Sequence, residues 1–318
     1  MAHVTLFRRI TLAAVVVALT ALLADRAISP QVASSSDPAL SAQAPDPAQV
    51  ELRVAFLGRL MRGGRGACLT ERDIRDRDVL RNALTIRDAG LCVTQDTFSE
   101  NGIDWRFTAI SNPDARGPVW YLPHDNESEA FDAAVYAVSR YGGQLVAIDG
   151  GEGRNYRGID PNRYFAVTAA EAGPCAMRRP APRYTKYVMG LFKGRRHILS
   201  MHNNTRGGGV SVSMSSAKAK GFRTGGRFSD PDHMVFIASK GSIDGDSRGR
   251  ATRQKLLNAG LNVVHEAVSP QNSDCSFSNY VALNDRREYF NIEAVHGSSD
   301  QKAMVDALMG ALGYRPAR

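Results

Sequence analysis

His124-Asp-Asn-Glu127 sets an imidazole and a carboxylate three residues apart, between the strand-like run Gly117 to Pro123 and the helix-like run Phe131 to Tyr141. At such a junction the histidine leaves the strand end and the glutamate rides the first helical turn, so both can face one cation. Three later segments extend the set in a workable order: Asp160-Pro-Asn-Arg163, Ser200-Met-His-Asn-Asn204 and Asn291-Ile-Glu-Ala294. A catalytic zinc takes three protein ligands from His, Glu or Asp and keeps a fourth position for water, whose pKa falls from about 16 toward about 7. His124, Glu127 and His202 supply such a His₂Glu set for one ion. Taken singly, each has a structural explanation: a capping histidine, a glutamate favoured by the helix dipole, a satisfied loop histidine. The ordered set points to a metal.

Glu293 is the candidate general base. Alternation through Tyr289-Phe-Asn-Ile-Glu-Ala-Val295 puts Asn291 and Glu293 on one face of a strand and Phe290, Ile292 and Ala294 on the other. A carboxylate inside such a strand is costly to bury unless it is paired or functional. Glu266, in Val263-Val-His-Glu-Ala-Val268, is the rival base. Asn162 and Arg163 offer an amide and a guanidinium fork suited to a substrate carboxylate. Arg154 or Arg157, on the glycine-rich stretch before them, could polarise a scissile carbonyl and stabilise an oxyanion.

These groups need rigid elements behind them. Trp105–Ile110, Val119–Leu122, Gln144–Ile148, His197–Met201, Met234–Ala238, Leu261–Val268 and Tyr289–Val295 are the expected strands. Helices are expected over Glu71–Ile86, Ser128–Tyr141, Arg248–Asn258 and Asp300–Leu312. The alternation implies an α/β fold: three layers, α/β/α, around a mostly parallel mixed sheet. In such sheets ligands gather beyond the carboxyl ends of strands, which is where His124, Asp149-Gly-Gly151 and His202 fall.

The order H-x-x-E, arginine-bearing loop, D-x-N-R-x-F (Asp160 to Phe165), a single histidine after a strand and a late strand glutamate resembles the zinc carboxypeptidase superfamily. That superfamily includes carboxypeptidase A-like enzymes and the succinylglutamate desuccinylase/aspartoacylase branch. The resemblance covers roughly residues 117–313. It implies zinc on His124, Glu127 and His202, carboxylate recognition by Asn162 and Arg163, oxyanion help from Arg154 or Arg157, and Glu293 as base. His124-Asp-Asn-Glu127 is close to the H-G-N-E form of the deacylase branch. Two departures stand out. The 78 residues from His124 to His202 are few for peptide-digesting members, and the tyrosine that closes over substrate has only Tyr280 and Tyr289 as candidates.

The rest of the chain bears on location. Arg8-Arg9 precedes the apolar run Ile10 to Ala24, with small residues after it, the layout of a secretory signal peptide over 1–27. The run is short for a membrane span, and an uncleaved anchor is the alternative. Residues 28–50, rich in Ser, Ala, Pro and Gln, should form a flexible linker. Residues 51–104 are expected to be an N-terminal elaboration and 105–318 the zinc hydrolase domain. Four cysteines in an exported chain suggest disulfides. Of the three possible pairings, Cys68–Cys92 and Cys175–Cys275 are the expected one. Removing 1–27, which carries three arginines and one aspartate, brings the formal charge from +8 to about +6. The basic residues are scattered without a nucleic-acid motif. The function expected is a periplasmic or secreted metallopeptidase or amidase. It would cut an amide next to a free carboxylate, with peptidoglycan stem peptides as the class that location suggests. A deacylase of N-acyl amino acids and a non-catalytic envelope binding protein on the same fold are the alternatives.

Overall fold

The structure, a computed structural model, describes residues 68–175, 177–208, 210–213, 223–226, 228 and 230–317. The leader, the 28–50 linker and the first part of the 51–104 segment lie outside the described residues.

In chain order the helices are α1 (Arg77–Arg81), α2 (Ala83–Asp88), α3 (Ser128–Tyr141), α4 (Ala169–Ala172), α5 (Pro182–Leu191), α6 (Ser247–Asn258), α7 (Phe277–Asn284) and α8 (Asp300–Leu312). The strands are β1 (Cys92–Glu100), β2 (Ile103–Ser111), β3 (Val119–Leu122), β4 (Gln144–Ile148), β5 (Ile198–Asn204), β6 (Arg223–Thr224), β7 (Met234–Lys240), β8 (Val263–Val268) and β9 (Tyr289–Val295). They form one nine-stranded sheet in the order β1-β2-β4-β3-β5-β9-β7-β8-β6. The centre, β4-β3-β5-β9, is parallel throughout. Antiparallel pairings flank it at β2–β4 and β7–β9, and β7 and β8 run parallel to each other.

Alternation along the central strands makes the three layers. Trp120, Leu122, Leu199, Met201, Phe290 and Ile292 face α3, α6 and α8 in one core. Val119, Tyr121, Val146, Ile198 and Tyr289 face α5 and α7 in the other. β3 is buried on both faces, as a central parallel strand must be. The turn from α3 into β4 needs glycine at 143: φ is +84°, and an added Cβ would run into the Pro118 carbonyl.

The expected single helix over Glu71–Ile86 is a 3₁₀ turn (Glu71–Asp73) followed by α1 and α2. Asp76 breaks the run, because its carboxylate accepts from the Asp78 and Val79 amides as the N-cap of α1. Both expected cysteine pairs form, Cys68–Cys92 and Cys175–Cys275, with Cα atoms 5.3 and 5.7 Å apart, normal disulfide separations. Among the described residues no helix is long and apolar enough to cross a membrane.

Candidate active site

The parallel centre delivers the chemistry to one edge. β3 ends at Leu122, and two residues later His124 is buried beyond its carboxyl end. Glu127 is the residue before α3 and is 3% exposed. His202 lies in β5, directly opposite Glu293 of β9 in a parallel register, so both side chains share the face covered by α5 and α7. One sheet thus places all four groups.

The ligating atoms of His124, Glu127 and His202 lie within 4.8 Å of one another. His124 Nδ1 is 2.8 Å from Glu127 Oε1 and 3.1 Å from His202 Nδ1. His202 Nδ1 is 3.0 Å from Glu127 Oε2. On the other side of the ring, His124 Nε2 meets Asp160 Oδ1 at 2.8 Å. In the neutral ring, a proton on Nε2 toward that carboxylate turns the Nδ1 lone pair toward Glu127 and His202. Such a ring of lone pairs is satisfied by a cation. Donors around a tetrahedral zinc sit about 3.3 Å apart, so small outward shifts would open the set to an ion. Residues and geometry fit a metal.

The imidazoles and carboxylates also shift one another's pKa values. Burial presses the His124 pKa down, but hydrogen bonds to Asp160 and Glu127 leave it raised overall. Burial works against ionised Glu127, yet His202 and His124 hold its carboxyl well below the usual range. Burial likewise opposes ionised Asp160, and the His124 hydrogen bond still brings it down to about 2. Glu293 goes the other way: burial raises its pKa, nearby Glu127 adds to this, and His202 opposes it.

The arginines part company. Arg154 reaches the trio, its Nη1 3.2 Å from Glu127 Oε1 and 3.4 Å from His124 Nδ1. Arg157, three residues on, has φ +49° and pairs with Asp104 at 3.8 Å, away from the trio. Asn162 and Arg163 share a small cavity of about 80 Å³ with Glu266, Ser276, Asn291 and Glu293. There Arg163 pairs with Asp274 at 3.2 Å, and Asn291 donates to Glu293 at 2.8 Å. Glu266 accepts from Asn279 at 2.7 Å. Tyr289 is buried in the sheet and also lines this cavity, whereas Tyr280 lies on α7 against Phe165.

Sequence reasoning gave Asp160 no role of its own, and the structure makes it the partner of His124. Its signal was present as the first residue of Asp160-Pro-Asn-Arg163, where it also caps the 3₁₀ turn Pro161–Arg163. A second omission is the clamp behind the ligands. Asn203 donates its backbone N–H to Glu127 Oε2 at 3.1 Å, and Gln301 donates to the His202 carbonyl at 2.8 Å.

The sequence matches no protein-family model and no curated protein. The fold is similar to several solved structures. An aspartoacylase family protein from Mesorhizobium loti is 15% identical, with TM-score 0.41 over 71% of this chain and 68% of that one. A metallo-carboxypeptidase from Burkholderia cenocepacia is 11% identical, with TM-score 0.40 over 77% and 70%. A succinylglutamate desuccinylase from Silicibacter is 10% identical, with TM-score 0.38 over 72% and 68%. Scores this low carry no chemistry across, so the functional reading depends on this chain's own side chains.

Proposed function

We propose that this chain is an exported zinc-dependent hydrolase of the carboxypeptidase superfamily, cleaving an amide bond next to a free carboxylate. The observation that carries the reading is the His124–Glu127–His202 trio, with its lone pairs turned inward and Glu293 beside it on the neighbouring strand. When bound there, zinc would polarise the scissile carbonyl and acidify the attacking water.

The chain's own residues do the rest. Arg163 and Asn162 bind the substrate carboxylate in the cavity they share with Glu293, the guanidinium exchanging Asp274 for substrate. Arg154, half-exposed and already against Glu127, faces the carbonyl oxygen as negative charge develops on it. Glu293, its pKa raised by burial, takes the proton of the attacking water and hands it to the leaving nitrogen. Asp160 fixes the orientation of the His124 ring. Both disulfides support export to an oxidising compartment, where peptidoglycan stem peptides are the substrate class we favour.

Glu293→Gln keeps the side chain's shape and removes the base. Hydrolysis of muropeptides or N-acyl amino acids, whichever the protein cleaves, should fall about 10²–10⁴-fold while bound zinc, read by atomic emission, is unchanged. If Glu293→Gln stays active and Glu266→Gln is inactive with zinc retained, Glu266 is the base. A purified protein that holds no zinc and cleaves neither class sinks the reading altogether.

A further inference from the structure

A cavity of about 370 Å³ lies away from the metal-ligand trio, between α6 and the strands β7, β8 and β9. Its floor is apolar: Ile237, Ile243 and Phe290 are all buried there. Ile237 and Phe290 face the α3–α6–α8 core, on the opposite side of the sheet from His202 and Glu293. The proposed hydrolase mechanism leaves this cavity unused.

Its charges do not cancel. Three carboxylates line it, and each is already engaged. Asp246 accepts the Arg248 amide at 3.0 Å as the cap of α6, and Asp285 pairs with Arg287 at 2.6 Å. Glu288 pairs with Arg248 at 3.2 Å and accepts from Thr252. Lys240 and Arg286 also line the cavity, both exposed, and neither side chain has an ion-pair partner among the described residues. Four cationic side chains against three carboxylates leave one net positive charge, and Lys240 and Arg286 stand exposed beside the apolar floor.

A polar pair completes the lining. Ser239 Oγ is 2.8 Å from His265 Nε2, and buried His265 Nδ1 has no hydrogen-bond partner among the described residues. Burial and the charge of Arg253 hold the His265 pKa down, which keeps the ring neutral at neutral pH. If the serine donates to Nε2, the Nδ1 proton is left over. If Nε2 donates instead, the serine proton has only the Gly241 carbonyl, at 3.5 Å. In either tautomer the pair retains a donor that is poorly used.

We propose that this cavity is a second ligand site, which takes a small anion with an apolar body, such as an aryl or branched short-chain carboxylate. The apolar floor buries the body, and Lys240 and Arg286 meet the anionic group at the mouth. Ligand pockets of this size combine an apolar lining with a few convergent polar groups in the same way. This site stands or falls independently of the hydrolase reading.

Benzoate is the probe and benzamidine, of matching shape and opposite charge, the control. Binding is read from the histidine ring signals of the purified mature protein in ¹H–¹⁵N spectra, with the His265 signal assigned by its loss in His265→Gln. Benzoate should shift the His265 signal saturably, with a Kd on the order of a millimolar, and benzamidine should not. In the double variant Lys240→Glu, Arg286→Glu, changed only at exposed side chains, benzoate affinity should drop about tenfold or more. Four results would each overturn the site: no His265 shift, an equal shift with benzamidine, undiminished affinity in the charge-reversed protein, or shifts confined to His124 and His202.

Discussion

Two trios of buried side chains bring their ligating atoms within 4.8 Å of one another: His124, Glu127 and His202, and Asp76, Asp78 and Asp125. They meet in one motif, because Asp125 stands between His124 and Glu127. Their ligating groups differ in kind: one set mixes imidazoles with a carboxylate, and the other is all carboxylate. Asp76 accepts the Asp78 and Val79 amides at 2.9 and 3.2 Å. Asp78 pairs with Arg81 and accepts from Ser128 at 3.2 Å. Asp125 accepts the amides of Gly150 and Glu152, tying down the loop that carries Arg154. Each aspartate of this trio thus has one oxygen held by architectural partners. In the histidine trio Nδ1 faces Nδ1 and carboxylate, with Arg154 and the Asn203 amide as the neighbouring donors. Proximity of ligating groups is common to both; the two imidazoles beside a carboxylate distinguish the set suited to zinc.

The largest expected effect breaks the first trio. His202→Ala removes one of the three proposed ligands, so bound zinc should fall to trace levels and hydrolysis with it, by about a thousandfold or more. Asp78→Asn, tested in parallel, should leave zinc content untouched. Full zinc occupancy in His202→Ala would mean that the ion lies elsewhere. A smaller loss should follow from the shell behind the ligands. Asp160→Ala should weaken zinc affinity by about 10–100-fold, measured by competition with a chelator. Asp160→Asn should lose less, because its amide oxygen can still accept from His124 Nε2. Equal zinc affinity in Asp160→Ala and the parent protein would remove Asp160 from the metal centre.

Much of the first trio was legible in the sequence, because its carriers have strong local signals. β3, α3, β4, β9 and α8 begin and end at the expected residues, where apolar periodicity meets glycines or turn chemistry. Both disulfides also follow the expected pairing. What stayed hidden depends on contacts distant in sequence. β1 is an edge strand with the polar run Thr94-Gln-Asp-Thr97, so it lacks the alternation of a half-buried strand. α5 opens on Pro182, and α7 has only eight residues, too few for a clear helical period. Asp160 reaches His124 across 36 residues. Arg154 and Arg157 look alike in sequence, yet Arg154 reaches the trio and Arg157, in the left-handed region, pairs with Asp104.

The smallest effect tests the aspartate trio at its one loose end. Asp76 is 8% exposed, and its Oδ2 has no hydrogen-bond partner among the described residues, while Oδ1 caps α1. Burial raises its pKa above 3.8, and the charge of Asp149 adds to this against hydrogen bonds from Thr108 and the Val79 amide. The folded state therefore holds the proton more tightly than the unfolded chain does, and stability declines as pH rises through the folded pKa. Asp76→Asn keeps the cap oxygen, places an amide where Oδ2 meets other acids, and does not titrate. It should stabilise the protein at pH 7.5, read as a higher Tm than that of the parent protein. The gain should shrink as pH falls and vanish below the unfolded value near 3.8. Thermal unfolding of both proteins at pH 7.5 and pH 3.5 measures the difference. A lower Tm for Asp76→Asn at pH 7.5, matched by a drop in the parent protein on adding a calcium chelator, would show that a cation stabilises ionised Asp76, and the contrast between the two trios would collapse.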